Sequence, residues 1–232
     1  MDDRITAKDV KTIVYAATRN LYSNMKICVN SAIKNGNVDE IVLLIEDDTF
    51  PHEFNFPVRT INVSNQPWID RNGINALKHW TYMCLMKTTM TELFPELDRV
   101  LVLDCDTIVE HELKELWQIN LDNYYYAMVM QNNDGRGGKF HKGDYYNAGV
   151  LMCNLKKLRD GKEAEIRESL NTKEWEFPEQ DCIVKLCEGQ IYSLPGRWNR
   201  CDYTLFDTEQ YIRHYAATDQ WWRLALPQKY DY

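Results

Sequence analysis

The sequence predicts an α/β fold with a largely parallel central sheet. Short, wholly apolar runs alternate with stretches of helical periodicity, the pattern of strands covered by helices on both faces. One such run, Val100-Leu101-Val102-Leu103 after Arg99, ends abruptly in the acidic triplet Asp104-Cys105-Asp106. The 232 residues are 44 % apolar, 12 % aromatic and 27 % charged, the profile of a folded globule rather than a disordered or fibrous chain. A chain of this length buries about 70–75 % of its unfolded surface, enough for one sizeable core. One domain over residues 1–232 is therefore expected.

Thr12–Ala17 reads as the first strand, stopped by Thr18-Arg19-Asn20. Leu21, Met25, Cys28, Val29, Ala32 and Ile33 then recur at helical spacing, up to Gly36 and Asn37. Strands follow at Glu40–Ile45 and Val58–Val63. A longer helix is predicted from about Ile74 to Phe94, closed by Pro95, before the strand Arg99–Leu103. Leu113–Trp117 reads as a short helix and Tyr124–Met130 as a strand. The polar loop Gln131–Lys139 lacks the frame of a P-loop and is expected at the surface. Then come a strand at Ala148–Asn154, a charged helix at about Leu155–Leu170, a helix near Glu179–Glu188, and strands around Gln190–Leu194 and Tyr211–Tyr215. No repeat, linker or low-complexity tract interrupts them.

The formal net charge of −8 has the wrong sign for a general nucleic-acid or anionic-membrane binder, so an anionic ligand requires local basic groups or a metal. Seven cysteines, odd in number, scattered and without a CxxC pair, fit buried thiols in a reducing compartment. The N-terminus leads into no apolar signal region, and no stretch approaches the ~18 apolar residues that span a bilayer. A cytoplasmic location is the expectation.

Asp104 and Asp106 lie at the carboxyl end of an apolar strand, where open α/β sheets bind ligands. Residues i and i+2 of an extended segment point the same way, so both carboxylates converge on one object. Like charges there need neutralising, and oxygen ligands favour magnesium or manganese. The bland alternative is a strand end leading into a solvated turn.

Four segments taken together, Val100-Leu101-Val102-Leu103-Asp104-Cys105-Asp106-Thr107-Ile108-Val109, Tyr146-Asn147-Ala148-Gly149-Val150-Leu151-Met152-Cys153-Asn154-Leu155, Pro178-Glu179-Gln180-Asp181 and Ile212-Arg213-His214-Tyr215, resemble the family 8 glycosyltransferases in order and spacing. That family includes glycogenin and bacterial lipopolysaccharide galactosyl- and glucosyltransferases. The resemblance runs from about Thr12 to Trp221. It implies a GT-A type, Rossmann-like fold with a mixed sheet, residues 12–110 forming a nucleotide-binding half and 111–232 an acceptor and sugar half. It also implies metal-dependent transfer of glucose or galactose from UDP-glucose or UDP-galactose with retention, in a bacterial setting. The partners implied are that donor and a carbohydrate or protein-glycan acceptor, with a homodimer admitted.

By the same resemblance Asp104, Asp106 and His214 hold manganese or magnesium, and Cys105 lies between the two acids at the donor. Ala16, Ala17 and Thr18 line uracil and ribose, and Tyr22 stacks on the base. Lys87 stands over sugar and diphosphate, Asn147, Ala148 and Gly149 hold the donor sugar, and Glu179, Gln180 and Asp181 complete the catalytic set. Read without the family, His214 and Tyr22 are ordinary core residues, Lys87 a solvated helix residue, and Glu179-Gln180-Asp181 an acidic helix start. An amide is a poor nucleophile, so same-face attack through an oxocarbenium-like state is favoured, with Gln180 supporting it and Glu179 positioning sugar hydroxyls.

After His214 the chain departs from the family. Ala217 stands where a glycine is expected and Asp219 where a lysine grips the diphosphate, with Arg197, Arg200, Arg213 or Arg223 as compensating cations. A weakened or non-catalytic UDP-sugar-binding protein is therefore one rival reading. A glycoside hydrolase using Glu179 and Asp181 is another. The lack of a basic, aromatic tail after Trp222 favours a soluble acceptor over a lipid-linked glycan.

Overall fold

A computed structural model describes residues 10–76, 81–131 and 144–216. The elements are, in order, β1 (Thr12–Ala17), α1 (Tyr22–Asn35), β2 (Glu40–Ile45), β3 (Val58–Asn62), α2 (Tyr82–Leu85), α3 (Met90–Leu93), β4 (Arg99–Leu103), β5 (Thr107–Val109), α4 (Lys114–Trp117), β6 (Tyr126–Met130), β7 (Tyr146–Asn154), α5 (Leu155–Leu158), α6 (Lys162–Thr172), α7 (Pro178–Leu186), β8 (Ile191–Leu194) and β9 (Ile212–His214). Seven strands form one sheet in the order β3-β2-β1-β4-β7-β6-β8. Only β7 runs against its sheet neighbours, β4 and β6, so the sheet is mixed and mostly parallel.

Strand alternation sends successive side chains to opposite faces, and in β1, β2, β4, β6 and β7 both faces are buried, whereas the edge strand β3 is largely exposed. Val14, Val42, Leu44, Val100 and Val102 join one apolar cluster, under the 82–94 segment, α6 and α7. Ile13, Tyr15, Ile41, Leu43, Leu101 and Leu103 join the other, where α1 contributes Met25, Cys28, Val29 and Ala32 at spacings of three and four. This double burial explains why the strands read as continuous apolar runs.

Of the small antiparallel pair β5–β9, the sequence predicts β9 but not β5, whose three residues follow the acidic triplet and are too short for a pattern of their own. The pair sets Thr107 against His214 and so carries the C-terminal histidine back to the acidic triplet. The seven cysteines are free thiols, five of them buried. Among the described residues no helix is long and apolar enough to cross a membrane.

Two predicted helices are broken. Residues 74–76 lie in turns, 77–80 fall outside the described residues, and 82–93 divide into α2, a 3-10 turn at Met86–Thr88 and α3. Thr88 and Thr89 cause the break, their hydroxyls donating to the Leu85 and Met86 carbonyls at 2.8 Å, while Thr89 leaves helical dihedrals with φ −123°. The Leu155–Leu170 helix splits at Gly161, which has φ +100°. Elsewhere the boundaries shift by at most two residues. The 131–139 loop lies outside the described residues after Gln131.

Gly161 has open space where a Cβ would sit, so replacing it costs backbone strain alone. Gly161→Ala is expected to destabilise the protein by about 1–2 kcal/mol in urea denaturation with an unchanged slope.

Candidate active site

β4 delivers Asp104 and Asp106 to the carboxyl edge of the sheet, and β9 brings His214 against them. Potential ligand atoms of the three residues lie within 4.8 Å of one another. His214 Nε2 is 3.2 Å from Asp106 Oδ1 and 3.8 Å from Asp104 Oδ2. Asp106 Oδ1 is buried yet receives no hydrogen bond of good geometry among the described residues. A buried, under-satisfied carboxylate oxygen beside a second carboxylate and an imidazole nitrogen is a donor set suited to a divalent cation. Asp104, Asp106 and His214 therefore fit a metal.

A tight cradle aims the imidazole. A Cβ on Gly149 would stand 2.2 Å from His214 Cε1 and 2.5 Å from Nδ1, so the ring packs where only glycine leaves room. Asn147 Oδ1 accepts from Gly149 N at 2.9 Å and from Asn199 Nδ2 at 2.7 Å. With its amide nitrogen so engaged, Asn199 presents Oδ1 to His214 Nδ1 at 2.8 Å. Nδ1 therefore carries a proton, and Nε2 is the nitrogen turned to the acids. Burial opposes the imidazolium, but the Asp106 carboxylate beside it prevails and holds the His214 pKa well above its ordinary value.

Behind the acids, Lys87 is 4 % exposed. Its ammonium pairs with Asp104 Oδ1, reaches Glu179 Oε1 at 3.1 Å and donates to the Ala148 carbonyl at 3.2 Å. Burial works against the charge, and the carboxylates of Asp104 and Glu179 outweigh it, raising the lysine pKa. Glu179 is raised as well, by burial that Lys87 offsets only in part. Lys87 is thus a buried counter-charge and not a solvated helix residue.

Asp104, Asp106, Asn147, Ala148, Gly149, Gln180 and His214 line one cavity of about 340 Å³. Gln131, Phe177, Tyr203 and Ala216 complete its wall; none was singled out in the sequence, where each is an unremarked polar, aromatic or small residue. Gln180 accepts from Ala148 N at 2.9 Å and donates to the Tyr145 hydroxyl at 2.8 Å. Asp181 is fully buried behind it and does not line the cavity. Its Oδ1 accepts from the Tyr145 hydroxyl, the same group that takes Gln180 Nε2.

The remaining expected residues lie at the edge of this group or outside it. Register sets Tyr15 beside Leu103, which places Ala16 level with Asp104, with Ala17 and Thr18 following at the end of β1. Cys105 is half-buried, and its carbonyl accepts from the Cys28 thiol. Tyr22 departs from the stacking expectation. It is 3 % exposed, its ring packs edge-on against Phe50 at 5.3 Å, and its hydroxyl accepts from the Glu46 and Asp47 amides. At that exposure the ring has no open face to offer a base. Ala217, Asp219 and Arg223 lie outside the described residues.

The chain matches Glycosyl transferase family 8 over residues 12–219. It is 23 % identical over 214 residues to the lipopolysaccharide 1,2-glucosyltransferase of Escherichia coli K12, covering 84 % of this chain and 63 % of that protein. It is 30 % identical over 131 residues to glycosyltransferase GlyE of Streptococcus pneumoniae serotype 4, covering 55 % of this chain and 30 % of that one. The chain thus spans under two thirds of the length of either relative. Among solved structures, galactosyltransferase LgtC, in complex with donor and acceptor sugar analogs, superimposes with a TM-score of 0.68 at 19 % identity, covering 91 % of this chain and 89 % of that one. The crystal structure of GlyE gives 0.68 at 20 % identity, covering 93 % and 56 %.

Two variants test the site's construction. Lys87→Met leaves the buried Glu179 and the half-buried Asp104 without their counter-charge and is expected to cost about 3 kcal/mol in urea denaturation. Gly149→Ala is expected to displace the His214 ring, read as a shift of its imidazole resonances, while the far-ultraviolet circular dichroism is unchanged.

Proposed function

The chain belongs to glycosyltransferase family 8 and has its GT-A fold, and on that basis we propose that it transfers a hexose, glucose or galactose, from a UDP-sugar to an acceptor hydroxyl with retention. The observation that carries the reading is the convergence of Asp104, Asp106 and His214 on the cavity that Gln180 also lines. Asp104, Asp106 and His214 would hold the cation, manganese or magnesium. When bound, it supplies positive charge against the diphosphate that leaves.

The chain's own residues do the rest. Asp104 and Glu179 keep Lys87 charged, which adds a fixed positive charge behind the donor pocket without a general acid. Asn147, Ala148 and Gly149 form a small-residue wall against which a sugar ring fits. Gln180, held by the Ala148 amide, offers an oriented dipole beside that wall and supports positive charge as it develops on the sugar. Ala16, Ala17 and Thr18, at the end of β1, are the proposed nucleotide edge. Residues 12–110 form the nucleotide half of a single domain and residues 111–232 the sugar and acceptor half. The hydrolase alternative loses its carboxylate pair, since Glu179 is tied to Lys87 and Asp181 is buried away from the cavity.

UDP binding measured by calorimetry is expected to require manganese or magnesium and to lose that requirement in Asp106→Ala. Tight UDP binding in excess chelator would sink the metal-dependent reading. One observation favours a weakened or purely binding form, the acid Asp219 at the position where the family resemblance calls for lysine. Asp219→Lys is expected to tighten UDP by about 1–3 kcal/mol, with a gain that shrinks as salt rises. If sugar release from UDP-glucose or UDP-galactose rises with it, the natural chain is an impaired transferase; binding without turnover favours the binding protein.

A further inference from the structure

We propose that Tyr145 is a positioning residue for sugar transfer: with the buried Asp181 it dictates which end of the Gln180 amide meets the Ala148 backbone, and so the sign of the dipole that the cavity sees. The inference deepens the hexosyltransferase reading and rests on it.

The two ends of a glutamine amide are nearly equal in size, so their orientation is set by the partners they find. Here a chain of hydrogen bonds leaves one consistent assignment. Asp181 Oδ2 accepts from the Phe177 peptide N–H at 2.9 Å, and Oδ1 accepts from the Tyr145 hydroxyl at 2.5 Å. A phenol has one proton, and this one is given to the carboxylate. Toward Gln180 the phenol oxygen can therefore only accept, and it takes Nε2 at 2.8 Å. The other end, Oε1, then faces the Ala148 peptide N–H at 2.9 Å, a group that can only donate. Burial, with the Asp181 charge beside it, raises the Tyr145 pKa well above its ordinary value, which keeps the phenol protonated.

A flipped amide would set its NH₂ against the Ala148 N–H and its oxygen against an acceptor, leaving buried groups unsatisfied at both ends. The chain therefore enforces a single orientation at the wall of the cavity that Gln180 lines. Positive charge developing on a sugar there is favoured by one orientation of that dipole and opposed by the other. Neither Tyr145 nor Asp181 lines the cavity, so both act through Gln180.

Two near-isosteric variants separate polarity from packing. In Asp181→Asn the side-chain oxygen must still meet the Phe177 N–H, so its NH₂ turns to Tyr145. The phenol proton has then lost its carboxylate and turns toward Gln180, where it competes with the Ala148 N–H for Oε1, so the single amide orientation is no longer enforced. Tyr145→Phe removes the link without adding a competing donor. Because polarity at the cavity wall acts on the transition state, we expect kcat to fall about 100-fold in Asp181→Asn and about 10-fold in Tyr145→Phe, with donor KM and metal-supported UDP affinity within about twofold of wild type.

The side-chain amide signal of Gln180, identified in the ¹⁵N–¹H spectrum by its loss in Gln180→Glu, should shift in both variants. An unmoved signal overturns the proposal whether or not sugar is transferred. Equal losses of kcat and UDP affinity also overturn it, because they mark general structural damage. A wild type that turns over no UDP-sugar sinks the transferase reading and the catalytic half of the inference, and the amide signal still decides the geometric half. Should Asp181→Asn fail to fold, Tyr145→Phe carries the test with its ring retained.

Discussion

A lysine ammonium buried between two carboxylates is the contact on which the site depends. Lys87 comes from the broken helical segment, Asp104 from the end of β4, Glu179 from the first turn of α7, and the Ala148 carbonyl from β7. Each carboxylate buried alone would pay a desolvation cost of several kcal/mol. Together with the lysine ammonium they close a charged knot that joins four elements at one edge of the sheet. That knot also explains why the 82–94 segment gives up a continuous helix. The turn at Met86–Thr88 carries Lys87, and the threonine hydroxyls that take up main-chain carbonyls there compensate for the interrupted ladder.

Around this charge cluster the polar groups are arranged by donor and acceptor logic. Both chains begin on residues 147–149, near the start of β7, the one strand of the seven-stranded sheet that runs against its neighbours. One passes from Asn147 through Asn199 to His214 and turns Nε2 toward the acids. The other passes from Ala148 through Gln180 and Tyr145 to Asp181 and sets the amide. A strand that enters the sheet from the ligand side presents its first main-chain groups there, whereas the parallel strands present their last. The reversal of β7 therefore brings fresh peptide donors to the edge where the acids end.

The residues at the end of β1, proposed as the nucleotide edge, stand level with Asp104 by strand register. Tyr22 contributes to the fold instead, its hydroxyl collecting the Glu46 and Asp47 amides just after β2. It thereby holds the loop beside that edge.

The sequence alone determined the strands of the parallel half, the acidic pair at the end of β4 and the family. Apolar runs buried on both faces and a short motif at a strand end are local patterns, legible without knowing what lies opposite. His214 was legible only through the family resemblance, since one histidine in a short apolar run carries no signal of its own. The tertiary structure decided what depends on neighbours distant in the chain. Lys87 became a buried counter-charge because Asp104 and Glu179 close around it, and Asp181 is fully buried, off the cavity wall and bonded to the Tyr145 hydroxyl. Tyr22 was claimed by the core, and Asn199 and Tyr145 gained their roles from partners 15 to 52 residues away. Burial and hydrogen-bond polarity are properties of the assembled fold, and composition and spacing do not encode them locally.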